Sequence, residues 1–334
     1  MLYVTTRSSR DAFTVSRVLR ESSAPEGGLF VPFRLVPLAP ERGRELLDMG
    51  FARCCAEILN LFFGSKLSAW DVDFCVGKNL CKTTVMNHRI AIAELWHNQQ
   101  KDFDWVVTRL SARLKDTAPE VDVPNDLVRL IVRIAALVGV FSELHRSGVL
   151  EEGQVLDVSV ASDDFSQACA AWYCRYLGLP IGTILCACSS IAGSWDLMNY
   201  GQMRTDQIPA DLERLIYLTL GQEEAARFGA VCASGRPYTL SETQTETLRN
   251  GLFSAVVGPR RISDIIPSVY RTNSTLLDPL SAQAYGGIQD YRAKTGEVRP
   301  TLILAEKSPG RCADAVAKAM GMSVKQLMGQ FHLD

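Results

Sequence analysis

The stretch "LDVSVASDDFSQACAAWYCRYLGLP", residues 156–180, reads as a buried strand, a sharp turn and a helix. In a fold that binds a nucleotide or a phosphate-bearing cofactor, such a turn holds the phosphate. Unpaired N–H groups and the positive end of the helix dipole face the anion there, and glycine lets the backbone approach it closely. Here the turn carries Ser162, Asp163 and Asp164 and no glycine. At ~4 Å a like-charge pair costs roughly 4 kcal/mol at an effective dielectric of about 20, which is about three decades in affinity. Asp164 stands three residues before Gln167, the spacing of a capping box. Its carboxylate is expected to accept from the N–H groups that a phosphate would use, stabilising the helix by about 0.5–2 kcal/mol. The plainer reading is an ordinary turn that never bound an anion. Both expect no phosphate here.

Other reactive residue types are scattered. Cys186-Ala-Cys188 would place two thiols on one face of a strand, and Cys54 and Cys55 are adjacent. No histidine lies near either pair and no second pair has zinc-site spacing, so burial as small hydrophobes is expected, with no metal. His97 with Lys101 is a weak acid–base pair by type and spacing, and His97 is expected to be packed or capped. Arg204, Arg260, Arg261, Lys307 and Arg311 are candidate cations for an anionic ligand. Neither a Ser-His-Asp arrangement, a GxGxxG run nor a P-loop is present.

The chain of 334 residues is long enough for two domains or one large α/β unit. A formal net charge of -2 gives no basic field, which argues against nucleic acid and anionic membranes as partners. Residues 1–20 include Arg7, Arg10, Asp11, Arg17 and Arg20, unlike a secretory signal. With cysteines set in apolar runs, the expected compartment is the cytoplasm. The longest apolar run, "LIVRIAALVGVF", is interrupted by Arg133 well short of the ~20 residues that a membrane span needs.

The elements that would position these residues follow from periodicity. "MLYVTT" predicts a strand, "AFTVSRVLRES" a helix and "APEGGLFVPF" a turn into a strand. Residues 40–64 predict one helix. "AELWHNQQKDFDWVVTRLSARLK" begins as a strand or loop and continues as an amphipathic helix, and 116–125 is a polar connection. Beyond it the pattern is helix 127–147, strand 155–160, helix 165–178 and strand 181–187, then a helix near 191–200. Helices are expected over 209–221 and 222–230, in "TETLRNGLFSAVV" and in "DPLSAQAYGGIQDYRAKTG". "TLILAEK" predicts a strand, with "RCADAVAKAMG" and "SVKQLMGQF" as closing helices. Short apolar runs alternating with helices imply βαβ units, an α/β class and a mostly parallel sheet flanked by helices.

Several stretches resemble the threonine synthase family, pyridoxal-phosphate (PLP) enzymes with the tryptophan-synthase-β-like fold, PLP fold type II. "APEGGLFVP" at 24–32 is similar to that family's N-terminal signature. "ELWHNQQKDF" at 94–103 resembles the segment bearing the Schiff-base lysine, with three residues fewer between His97 and Lys101. "VSVASDDFSQACAAWYCRYLGLPIGTILCAC", "LLDPLSAQAYGG" and "LILAEKSPGRCADAV" resemble the phosphate-gripping unit, a helix start and the strand near the pyridine nitrogen. The resemblance implies Lys101 as the catalytic lysine, if the chain is active. It implies Asp163, Asp164, Phe165, Ser166 and Glu306 as degenerate positions of the cofactor site. The family's phosphate loop is Gly-Asn-Phe-Gly, and both glycines are replaced here. Where the family has a hydroxyl beside the pyridine nitrogen, this chain has Glu306. Residues 116–126 would be a short linker replacing most of the mobile small domain, between an N-terminal region (1–115) and a large α/β domain (127–334).

These departures lead to three expectations. The first is a degenerate, non-catalytic relative that holds no PLP and acts by binding or assembly, with other copies of itself or an unidentified protein. The second is a reduced PLP-dependent lyase acting on O-phosphohomoserine or a related amino acid through Lys101. The third is a binder of a small anionic or amino-acid ligand in the residual cleft near Lys101, Asp163 and Glu306.

Overall fold

Apolar runs that would be too hydrophobic for a half-exposed sheet are accommodated here by covering both faces. The computed structural model describes residues 1–77, 81–96, 101–162, 165–190, 193–204, 208–209 and 211–333. The chain runs through β1 (Leu2–Thr5), β2 (Phe13–Thr14), α1 (Val15–Val18), β3 (Phe30–Pro32), α2 (Pro40–Leu47), α3 (Phe51–Phe63) and α4 (Ala69–Val76). A hairpin of β4 (Lys82–Met86) and β5 (Ile90–Glu94) leads to α5 (Phe103–Lys115) and α6 (Asp126–Arg146). Then come β6 (Leu156–Ala161), α7 (Ser166–Leu177), β7 (Ile181–Cys188), α8 (Ser194–Tyr200) and β8 (Gln202–Met203). They are followed by α9 (Leu212–Leu220), α10 (Gln222–Ala233), β9 (Tyr238–Thr239), α11 (Glu242–Arg249) and β10 (Leu252–Val256). The chain closes with α12 (Pro259–Asn273), α13 (Pro279–Thr295), β11 (Thr301–Ala305), α14 (Ala313–Met320) and α15 (Val324–Phe331).

The main sheet has the order β10-β7-β6-β11-β5-β4. Its neighbours are parallel except β4, which returns antiparallel to β5. Alternate residues of each strand serve opposite faces. Leu302 and Leu304 join the core formed with α3, α6 and α7, while Ile303 and Ala305 join the one formed with α12, α13 and α14. Burial on both faces is why β11 reads as an unbroken apolar run. The fold class is therefore α/β with a mostly parallel sheet, as the sequence implies.

A smaller sheet, β2-β1-β3, is tied to the body by polar contacts. Tyr3 Oη donates to the Phe62 carbonyl at 2.7 Å. Arg7 grips Glu213 through Nε at 2.9 Å and Nη2 at 2.8 Å, and the buried Arg214 donates to the Phe30 carbonyl at 3.1 Å while pairing with Asp211.

Some expected elements differ. The single helix over 40–64 is two, α2 and α3, separated at residues 48–50. "TETLRNGLFSAVV" is not one helix: α11 ends at Arg249, Gly251 takes a φ of 74°, and the apolar remainder enters the main sheet as β10. The polar-looking segment 259–273 forms α12 despite Pro267 in its interior.

Helix α13 approaches the sheet closely because residues 286 and 287 lack side chains. A Cβ at Gly286 would meet Val257 Cγ1 at 2.6 Å, and one at Gly287 would meet Ala187 Cβ at 3.0 Å. Gly286→Val is expected to lower stability by about 1–3 kcal/mol through overpacking. At Gly329 in α15 a Cβ would have nothing within 4 Å, so Gly329→Ala should stabilise by up to about 1 kcal/mol. Urea melts of the two variants against the parent test the contrast.

Candidate functional site

The parallel strands end together. Ala305 of β11 pairs with Glu94 of β5, Leu95 N–H donates to the Ala305 carbonyl at 2.9 Å, and Ser162 N–H donates to the Ala187 carbonyl at 2.8 Å. The segments following β5, β11 and β6 therefore leave from one edge of the sheet. In open α/β sheets, ligands bind at such a carboxyl edge. The segment after β5 carries Lys101, the one after β11 begins with Glu306, and the one after β6 leads to Phe165 and Ser166. Phe103 N–H donates to the Glu306 carbonyl at 3.0 Å, which brings the Lys-Asp-Phe segment against Glu306. Asp163, Asp164 and His97 lie outside the described residues.

Glu306 is held by an arginine. Arg133, on α6, donates through Nε to Oε1 at 2.7 Å and through Nη2 to Oε2 at 3.0 Å. The two side chains are 14% and 12% exposed. Arg133 also lies over the Phe103 ring, 5.7 Å from its centroid. In the sequence Arg133 reads only as a break in an apolar run. The available signal was the charge itself: an arginine amid core residues of a buried helix needs a partner.

Around this pair other charges are matched. Asp102 is the N-cap of α5; it accepts from Trp105 N–H at 3.3 Å and from Arg311 Nε at 3.3 Å. Lys101 Nζ stands 5.0 Å from the Trp105 ring centroid. Asp278 caps α13, accepting from Leu280 N–H at 2.9 Å and Ser281 N–H at 3.3 Å. Burial pushes the Asp278 carboxyl up, while those bonds and the charge of Lys307 pull it down. Burial likewise raises the Cys312 thiol, against the cations of Lys307 and Arg311. Of the other candidate cations, Arg261 pairs with Asp290 on α13, and Arg204 and Arg260 lie on the surface.

The N-cap of α7 is Phe165, with a φ of 63° and no side-chain cap bond. The expected capping box from Asp164 to Gln167 rests on a residue outside the described ones. The Phe165 ring is fully buried in the main core, and burial worth about 1.5–3 kcal/mol can hold a non-glycine residue in that conformation, which costs of order 1–3 kcal/mol. Ser166 and Gln167 are buried behind it. The cysteines are packing residues: burial raises the Cys186 thiol to about 12 and the Cys54 thiol to about 11. Among the described residues no helix is long and apolar enough to cross a membrane, and no cluster of three or more His, Cys, Asp or Glu side chains is arranged to hold a metal.

Residues 2–79 match the family described as threonine synthase N terminus. The structure is similar to PLP-bound threonine synthase from Brucella melitensis, with a TM-score of 0.81 at 18% identity over 96% of this chain and 92% of that one. The chain has a threonine synthase-like fold. Yeast threonine synthase gives a TM-score of 0.78 at 14% identity over 98% of this chain and 94% of that one. The Escherichia coli enzyme gives 0.72 at 13%, over 97% and 92%. No curated protein matches the sequence.

The Arg133–Glu306 pair has an energetic signature. Glu306→Leu strands a largely buried guanidinium and is expected to cost about 2–3 kcal/mol, less than for a fully dry pair. Arg133→Met combined with Glu306→Leu removes both charges and should cost less than the sum of the single changes by more than about 1 kcal/mol. Denaturant melts of the four proteins measure this coupling, and strict additivity would contradict it.

Proposed function

We propose that this threonine synthase-like protein does not operate a PLP site and acts by binding or assembly, with copies of itself or a protein partner. The observation carrying this reading is the doubly bonded Arg133–Glu306 pair at the end of β11. By the resemblance, that strand end faces the pyridine nitrogen of the cofactor, where the family has a hydroxyl. A hydroxyl can donate to the ring nitrogen at little cost. A carboxylate whose two oxygens are both committed to a guanidinium has no proton to donate, and freeing it breaks charge-assisted bonds. The sequence of the phosphate turn adds to this, since Asp163 and Asp164 oppose an anion that the family's glycines would admit. The donor set does not fit the cofactor.

Residues 116–125 connect α5 directly to α6, but the similar threonine synthase structures are covered over 92–94% of their own length, which weighs against reading 116–126 as a replacement for most of a small domain.

One observation favours a second reading, a reduced PLP-dependent lyase acting on O-phosphohomoserine or a related amino acid. Lys101 stands at the carboxyl edge immediately before the α5 N-cap, where an imine-forming amine would be needed. The two readings separate in one experiment. The purified protein is incubated with PLP, reduced with borohydride and digested, and the peptide containing Lys101 is weighed. No phosphopyridoxyl adduct and no saturable visible chromophore are expected. A chromophore that saturates and disappears in Lys101→Ala would overturn the first reading and support the lyase.

A further inference from the structure

The same sheet carries a second concave region at its opposite, amino edge. A groove of about 520 Å³ is lined by Arg89, Ile90, Tyr285, Ile288, Gln289 and Arg292, among others. Its described lining includes two guanidinium groups and no carboxylate. At the carboxyl edge, by contrast, Arg133 faces Glu306 and Arg311 faces Asp102.

Both arginines are placed by the fold. Arg292, on α13, donates through Nη2 to the Arg299 carbonyl at 3.1 Å and the Thr301 hydroxyl at 3.4 Å, both uncharged acceptors. Its burial disfavours the charged form, a penalty that Tyr285 and the more distant Asp157 reduce. The Asp157 carboxylate itself accepts from Thr183 N–H at 2.7 Å and lies 3.7 Å from Arg299. Arg89 ends the turn Asn87–Arg89 between β4 and β5, with a φ of 57°. That left-handed position in a short hairpin turn suits glycine or asparagine best. The turn is fixed by Asn87, whose N–H donates to Asn273 Oδ1 at 2.8 Å and whose side chain donates to the Thr272 carbonyl at 3.1 Å. The fold thus holds a long, exposed cation where its backbone is disfavoured, lining the same groove as the half-buried Arg292.

We propose that this groove binds a small organic anion, a phosphate monoester or a carboxylate with a short apolar body. The two guanidinium groups take the anionic head, the Tyr285 hydroxyl offers a further donor, and the exposed Val298 meets the apolar part. The site is separate from the Lys101 cleft and does not depend on whether that cleft holds PLP.

Titration calorimetry with inorganic phosphate, phenyl phosphate and hexanoate tests it, using the full chain, Arg89→Gly, Arg292→Gln and Lys101→Ala. Saturable binding of one molecule of phenyl phosphate or hexanoate per chain is expected. It should weaken roughly tenfold or more in Arg89→Gly and in Arg292→Gln and be unchanged in Lys101→Ala. Arg89→Gly relieves the backbone, so it should fold at least as well as the parent and keeps the test valid if Arg292→Gln is unstable. Preference for phenyl phosphate or for hexanoate identifies the head group. Binding of inorganic phosphate alone, no binding of any probe, binding indifferent to Arg89→Gly, or binding lost in Lys101→Ala would each overturn the proposal.

Discussion

The parallel alignment of β5, β11 and β6 is the constraint on which the rest depends. Parallel strands need crossovers, and crossovers cover both faces with helices. Every strand of this set must then be apolar on both sides, and every charged residue on the covering helices must reach an edge or find a partner. Arg133 does both: it sits on the buried α6 and meets Glu306 where β11 ends. The backbone bond from Phe103 to the Glu306 carbonyl fixes the start of α5 to the same point. Sheet topology, not sequence proximity, brings together residues separated by well over a hundred positions.

Among the described residues, three carboxylates near the carboxyl edge have partners within the fold. Arg133 neutralises Glu306, Arg311 meets Asp102, and Asp278 is occupied in capping α13. Replacing a buried ion pair by hydrophobic groups is often nearly neutral, whereas breaking one is costly. The Arg133–Glu306 pair therefore fixes the geometry where α6 meets the end of β11.

Much of the architecture was legible because its signals were local. The runs forming β6, β7 and β11 are short and apolar, and α6 and α13 have clear polar caps, Asn125 and Asp278. The errors have physical causes. In 245–257 the helical pattern of α11 continues without a polar break into β10, and only Asn250-Gly251 marks the reversal. Helix α12 was missed because its sequence is dominated by polar residues and contains Pro267, so its narrow apolar stripe of Ile265, Ile266 and Val269 did not stand out. In the site, Glu306 was visible through its place after an apolar strand. Its partner was not, because the relation between residues 133 and 306 exists only once β11 is inserted between β5 and β6.

The core and the site rest on different interactions, which explains how one can change while the other persists. Helix α13 is held by the close approach at Gly286 and Gly287, by Ser159 Oγ donating to the Ala284 carbonyl at 2.7 Å, and by Gln283 donating to the Ala187 carbonyl at 2.7 Å. Phe165 anchors the start of α7 through its buried ring. None of these contacts requires a ligand at the carboxyl edge. A substitution there is limited by local charge balance, and Arg133 supplies that balance for Glu306. The hydrophobic term that stabilises the sheet is non-directional and indifferent to which polar groups line its rim. A fold can therefore be similar to that of threonine synthases at 13–18% identity without fixing the chemistry of its rim.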